Sequence, residues 1–316
     1  MQPLKQSLAC GIYDVPVSAR SSRVGQSAGM RNLLLGACAL ALAGASASLA
    51  PAQSAPAPAA AKAFAPTRFS VEVVGTGPDV ILIPGLTASK EVWRGTVNAV
   101  PGYRYHLIQV AGFAGTPARG NAKGEVVAPL AAEIARYMDA NRLRGAAVVG
   151  HSMGGTVATM IAARYPGRAG KVMVVDMLPQ PAGLVGSSPD RVRGLAEALR
   201  GLGESEDGRR LIGSAIRLFG TGDADESGSD PDVVARATHE LALTDLGPEL
   251  PRIQAPLTVV YAGIDAERRA AAERNYRAAY APLRGAKLVR IDSSGHMIMY
   301  DQPAAFRAAL KAFLAQ

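Results

Sequence analysis

Short, tightly apolar runs alternate along this chain with stretches whose apolar positions recur every three or four residues. Residues 80–83, 105–110, 146–149, 172–175, 257–261 and 287–291 read as strands. Helical periodicity fits residues 126–138, 156–165, 267–280 and 304–314. Strands that are apolar without alternation are buried on both faces. Their interleaving with amphipathic helices predicts an α/β fold, with a mostly parallel central sheet and helices on both faces. In such a sheet, chemistry gathers at the carboxyl ends of the strands.

The rhythm breaks at about 180–250, where Gly/Ser/Pro clusters, helical pieces at 192–202 and 211–219 and an acidic loop at 223–232 replace it. An insertion of this length between strands of one domain predicts a helical cap over the sheet. The amino end has a different pattern. Met30-Arg31-Asn32 leads into a ten-residue apolar, Ala-rich run, followed by Ala45-Ser46-Ala47 and Ala50-Pro51-Ala52. A basic start, a short apolar stretch and an Ala-x-Ala exit describe a cleaved secretory signal, too short to persist as a membrane span. The chain therefore divides into an export leader (1–52), a Pro/Ala-rich linker (53–66) and a folded domain (67–316), with a periplasmic or secreted destination expected.

With 48% hydrophobic residues among 316, the chain is too apolar for disorder and long enough for a sizeable core. Both cysteines, Cys10 and Cys38, fall in the leader. The mature chain would then have no disulfide, no thiolate nucleophile and no Cys-metal site. Net charge is +8, and residues beyond 52 carry 30 basic against 25 acidic side chains. The excess is not gathered into a stripe: Arg209-Arg210 and Arg268-Arg269 have acidic neighbours. Solvated helix faces account for it, and no nucleic-acid partner is expected. No metal-ligand spacing and no phosphate-cradling glycine loop appears, so no cofactor is expected.

The candidate chemistry lies in Gly150-His151-Ser152-Met153-Gly154-Gly155, a G-x-S-x-G pattern directly after a predicted strand and opening a predicted helix. A nucleophilic serine belongs on such a sharp turn, where small residues on either side let the backbones approach closely. The amino end of the following helix favours negative charge at the reacting carbonyl. A serine hydroxyl needs a base. Of four histidines, His106 lies in a strand, His151 beside the nucleophile but aimed elsewhere, and His239 in the cap. His296 follows the last strand, just before the final helix, and is the candidate base.

Over residues 69–316 the chain resembles the α/β-hydrolase family, whose order is nucleophile, acid, histidine. The resemblance points to Asp265, after strand 257–261, as the acid that fixes the histidine tautomer; Asp176, after strand 172–175, is second choice. It also implies an oxyanion hole made by the backbone N–H groups of Leu86 and Met153. Many relatives carry His-Gly where this chain has Pro84-Gly85; proline offers no N–H, but Leu86 keeps its own. These residues imply an exported serine hydrolase of ester-type acyl bonds, acting on a small-molecule acyl substrate through an acyl-enzyme. Amide or peptide hydrolysis, C–C hydrolysis and acyl transfer use the same scaffold. A catalytically silent ligand-binding member is the alternative of another class.

Overall fold

The computed structural model describes residues 64–185 and 228–316. Its strands are β1 (Phe69–Val74), β2 (Asp79–Ile83), β3 (Arg104–Val110), β4 (Ala146–His151), β5 (Ala169–Val175), β6 (Leu257–Gly263) and β7 (Lys287–Asp292). They form one sheet in the order β1-β3-β2-β4-β5-β6-β7. Only β1, paired with β3, runs antiparallel; every other neighbouring pair is parallel. All six strands expected from apolar runs are present. The seventh, β1, has a half-exposed pattern suited to an edge, with only Phe69 fully buried.

The α-helices among the described residues are α1 (Arg94–Ala99), α2 (Val127–Ala140), α3 (Met153–Arg164), α4 (Pro231–Leu243), α5 (Ala266–Ala279), α6 (Ile298–Asp301) and α7 (Pro303–Leu314). Successive strand residues feed opposite cores, because side chains alternate across a sheet. Ile81 and Ile83 point into a layer with Leu130, Ile134, Val157 and Ile161 of α2 and α3. Val80 and Leu82 point into a second layer with Trp93, Phe306, Leu310 and Phe313. Trp93 is wholly buried, 6.2 Å from the Phe306 ring, and so is a packing residue. Helix α3 starts three residues earlier than its apolar period predicts. Gly154 and Gly155 mask the start because glycine has poor helix propensity, yet both are buried inside the helix.

Most of the expected cap falls on residues 186–227, and the leader with nearly all of the linker on residues 1–63; both lie outside the described residues. Of the stretch expected to form the cap, residues 180–185 and 228–250 are described. Asp230 caps α4 by accepting from the N–H groups of Asp232 and Val233, with Pro231 in the first turn. From α4, the Glu240 carboxylate accepts from the backbone N–H groups of Val126, Val127 and Ala128 at 2.8, 2.7 and 2.7 Å. Helix α2 has no side-chain cap from its own Val126. A carboxylate 112–114 residues away satisfies its orphan donors instead, at the positive end of its dipole.

Candidate active site

Strand β4 ends at His151 and α3 begins at Met153, so Ser152 must turn the chain in a single residue. It does so at φ 53°, ψ −123°, a left-handed conformation costing a non-glycine residue about 1–3 kcal/mol. The turn is held from both sides. The Ser152 N–H donates to the Val175 carbonyl at 2.9 Å, and its own carbonyl accepts from Gly155 at 2.7 Å. The flanking glycines are required by close backbone approach. A Cβ on Gly150 would stand 1.9 Å from the Gly154 carbonyl oxygen, and one on Gly154 would stand 2.3 Å from that of Ile83. The result is a serine presented at the carboxyl edge of the sheet, on the amino end of a buried helix.

His296 lies in the loop between β7 and α6. Its Nδ1–H donates to Asp176 Oδ2 at 2.7 Å, which leaves Nε2 as the lone-pair nitrogen of the neutral ring. Asp176 is the first residue after β5, also in the left-handed region at φ 49°. Its backbone N–H donates to the Val260 carbonyl at 2.8 Å. Its second oxygen, Oδ1, accepts from the Ala262 N–H and the Tyr276 hydroxyl, both at 2.9 Å. Burial works to raise the Asp176 carboxyl, but the His296 hydrogen bond and charge, the Ala262 N–H and the Tyr276 hydroxyl outweigh it. The group therefore sits below the ordinary carboxylate range. Tyr276 is stacked on Tyr261 with centroids 4.4 Å apart, and burial followed by the Asp176 charge pushes its hydroxyl well up, so it remains a donor.

Asp265 does not meet the histidine. It caps helix α5, accepting from the Arg268 N–H at 2.8 Å, with its side chain 46% exposed beside the Arg268 guanidinium. Strand order explains the difference. Ser152 leaves β4, whose sheet neighbour is β5; β6, which carries Asp265, is one strand further out. Strand β5, which ends beside Asp176, lies next to β4 and between it and β7, the strand that precedes His296, and the carboxylate after β6 serves its own helix. Tyr276 carries no sequence signal for the site, because it sits on the otherwise polar helix α5.

Leu86, expected as an oxyanion donor, follows β2, and Met153, the other, opens α3. Met153 is the first residue of α3, so its N–H has no intrahelical acceptor. Leu86 sits in a turn closed by the Ala88 N–H on the Gly85 carbonyl at 3.3 Å, with Thr87 at φ 64°. Among the described residues, no backbone acceptor takes the Leu86 N–H. The carboxamide of buried Gln109 anchors this turn: its oxygen accepts from the Lys90 N–H at 3.0 Å, and its nitrogen donates to the carbonyls of Val110 and Phe113. Of the other histidines, His106 is buried between the Tyr137 hydroxyl at 2.7 Å and Asp79 at 2.9 Å, a structural role. His239 lies on α4 and lines a cavity of about 790 Å³ with residues of α2, α3 and α4; Ser152, His296, Asp176, Asp265, Leu86 and Met153 do not line it. Among the described residues no three His, Cys, Asp or Glu side chains converge as a metal-ligand set.

Comparison with known proteins agrees with this architecture. A model described as the alpha/beta hydrolase family matches residues 80–309. The pimeloyl-[acyl-carrier protein] methyl ester esterase of Vibrio cholerae is 24% identical over 250 residues, spanning 74% of this chain and 93% of that protein. The enzyme of the same name from Aeromonas hydrophila is 35% identical over 112 residues, 35% of this chain; the match spans less than half of the relative, 42% of its length. Among solved structures, the enol-lactonase from Burkholderia xenovorans LB400 superposes with a TM-score of 0.64 at 21% identity, covering 79% of this chain and 97% of that one. An esterase from Exiguobacterium antarcticum gives 0.63 at 19%, covering 79% and 96%. At such identities these structures speak for the fold alone. With the family model matching residues 80–309, well over half of its length, this chain belongs to the alpha/beta hydrolase family.

Proposed function

We propose that this alpha/beta hydrolase cleaves carboxylic esters with Ser152 as nucleophile, His296 as base and Asp176, in place of Asp265, as the acid that orients it. The observation that carries the reading is the 2.7 Å bond from His296 to buried Asp176, at the same sheet edge as the strained Ser152 turn. In this mechanism Ser152 Oγ attacks the acyl carbonyl while His296 Nε2 accepts its proton. The Leu86 and Met153 N–H groups stabilise the oxyanion. His296 then passes its proton to the departing alkoxide, leaving an acyl-serine. Water, deprotonated by the same nitrogen, attacks that ester, and collapse returns the proton to Ser152 with release of the acid. Asp176 stays ionised throughout and stabilises the imidazolium. The esterase names of the relatives support an ester as the substrate class. The leader pattern in residues 30–52 supports export, which fractionation of expressing cells would test.

The assignment of roles is tested on p-nitrophenyl acetate. Ser152→Ala should lose turnover and fluorophosphonate labelling. Asp176→Asn should lower kcat by about 10³–10⁴-fold, the scale of an acid that sets the tautomer. Asp265→Asn should stay within about threefold of the parent, because a helix cap affects stability rather than the base. The opposite ranking of the two aspartates would return the role to Asp265.

A further inference from the structure

The elbow residue His151, assigned above to no step, lies against the base. Its ring centroid is 4.7 Å from that of His296, with the planes 47° apart. Its Nε2 lies 3.0 Å from the His296 backbone carbonyl oxygen. A carbonyl only accepts, so Nε2 carries the proton and Nδ1 the lone pair. Nδ1 is buried and has no hydrogen-bond partner among the described residues. It faces the turn that presents Leu86: a Cβ on Gly85 would stand 3.0 Å from His151 Nδ1 and 3.2 Å from Ser152 Cβ. One side chain thus touches the base loop and the oxyanion turn while being bonded to the nucleophile's own backbone.

The base loop needs such a tether. Two of its described anchors precede His296: the Ser293 N–H on the Gly263 carbonyl at 2.7 Å, and the Gly295 N–H on Asp301 at 2.7 Å. Asp176 holds the imidazole at one nitrogen only, and a ring held at one point can pivot about it. A second hold on the backbone of the same residue restricts that pivot. Reacting groups must stay within about 0.5 Å of productive geometry, so a loop-borne base gains from it. We propose that His151 is a positioning residue for His296, holding its backbone carbonyl and ring in register with Ser152; the role rests on the ester-hydrolase reading above. His151 also stays uncharged. Burial first, and the like charge of His296 second, bring it down to about 3. It therefore neither competes for the proton that His296 takes nor repels the imidazolium that forms.

The test uses the purified full-length chain, p-nitrophenyl acetate and two complementary variants. His151→Phe keeps a ring and loses the donor. His151→Gln places an amide N–H near the position of Nε2 and loses the ring. His151→Phe should lower kcat about tenfold, the worth of one hydrogen bond, with KM within about twofold. His151→Gln should recover to within about threefold of the parent. Parent-like kcat in His151→Phe, or a Gln variant no faster than the Phe variant, overturns the proposal. Should the Phe variant lack native circular dichroism, His151→Met replaces it, and equal kcat for Gln and Met overturns the proposal equally. Ser152→Ala separates the two levels. If it still turns over ester at the parent rate, the hydrolase reading itself fails. If it is inactive while His151→Phe is parent-like, only the role of His151 falls.

Discussion

The burial of an uncharged His151 makes a quantitative claim about acid stability. In the unfolded chain a histidine binds its proton near 6.5; in the folded chain burial and the facing His296 hold this one down to about 3. Between those values the unfolded state carries a proton at residue 151 that the folded state lacks, so stability falls as pH falls. The limiting slope is about 1.4 kcal/mol per pH unit. Integrated from pH 7 to pH 5, the loss assigned to this residue is about 2 kcal/mol, because little of that interval lies above the unfolded value. Asp176 and His296 also face this ring, but both remain in a His151→Gln variant, which removes only the titration at 151. Urea unfolding of parent and variant at pH 7 and pH 5 therefore isolates the contribution. The parent should lose about 2 kcal/mol more than the variant over that interval, read from midpoints at matched slopes. Superimposable pH dependences would refute the claim that residue 151 is held neutral.

Two further predictions concern the frame around the site. Gly150→Ala should abolish soluble folded protein, since the new methyl would meet the Gly154 carbonyl oxygen at 1.9 Å within a turn that has no slack; a native circular dichroism spectrum would contradict this. Glu240→Ala removes the acceptor of three backbone N–H groups at the start of α2 and should cost about 2–4 kcal/mol in urea unfolding at pH 7, with Glu240→Gln intermediate; a loss under 0.5 kcal/mol would show that water replaces the carboxylate freely.

Several parts of this protein were legible because their signals are local. The six apolar runs mark strands wherever both faces are covered, so each was found within a few residues. The elbow is legible for the same reason: G-x-S-x-G after a buried strand describes a turn whose constraint lies within six residues. His296 could be chosen because only one histidine follows the last strand. The acid could not be chosen this way. Asp176 and Asp265 each follow an apolar strand, and the two segments look alike in one dimension. Choosing between them needs the sheet order β4-β5-β6, a set of pairings among strands up to about a hundred residues apart.

The pattern of the chain by itself determined the layers, the strands of the sheet, and a serine and a histidine as the candidates at its carboxyl edge. Only the tertiary structure decided which carboxylate meets that histidine. It also decided that Tyr276 steadies the carboxylate from a polar helix, that His151 turns its ring onto the base, and that Glu240 caps a helix more than a hundred residues away. The division follows the range of the forces. Backbone propensity and apolar periodicity act over a turn or a strand and leave their mark in neighbouring residues. A hydrogen bond between buried groups acts over 3 Å and is specified by whichever elements packing brings together.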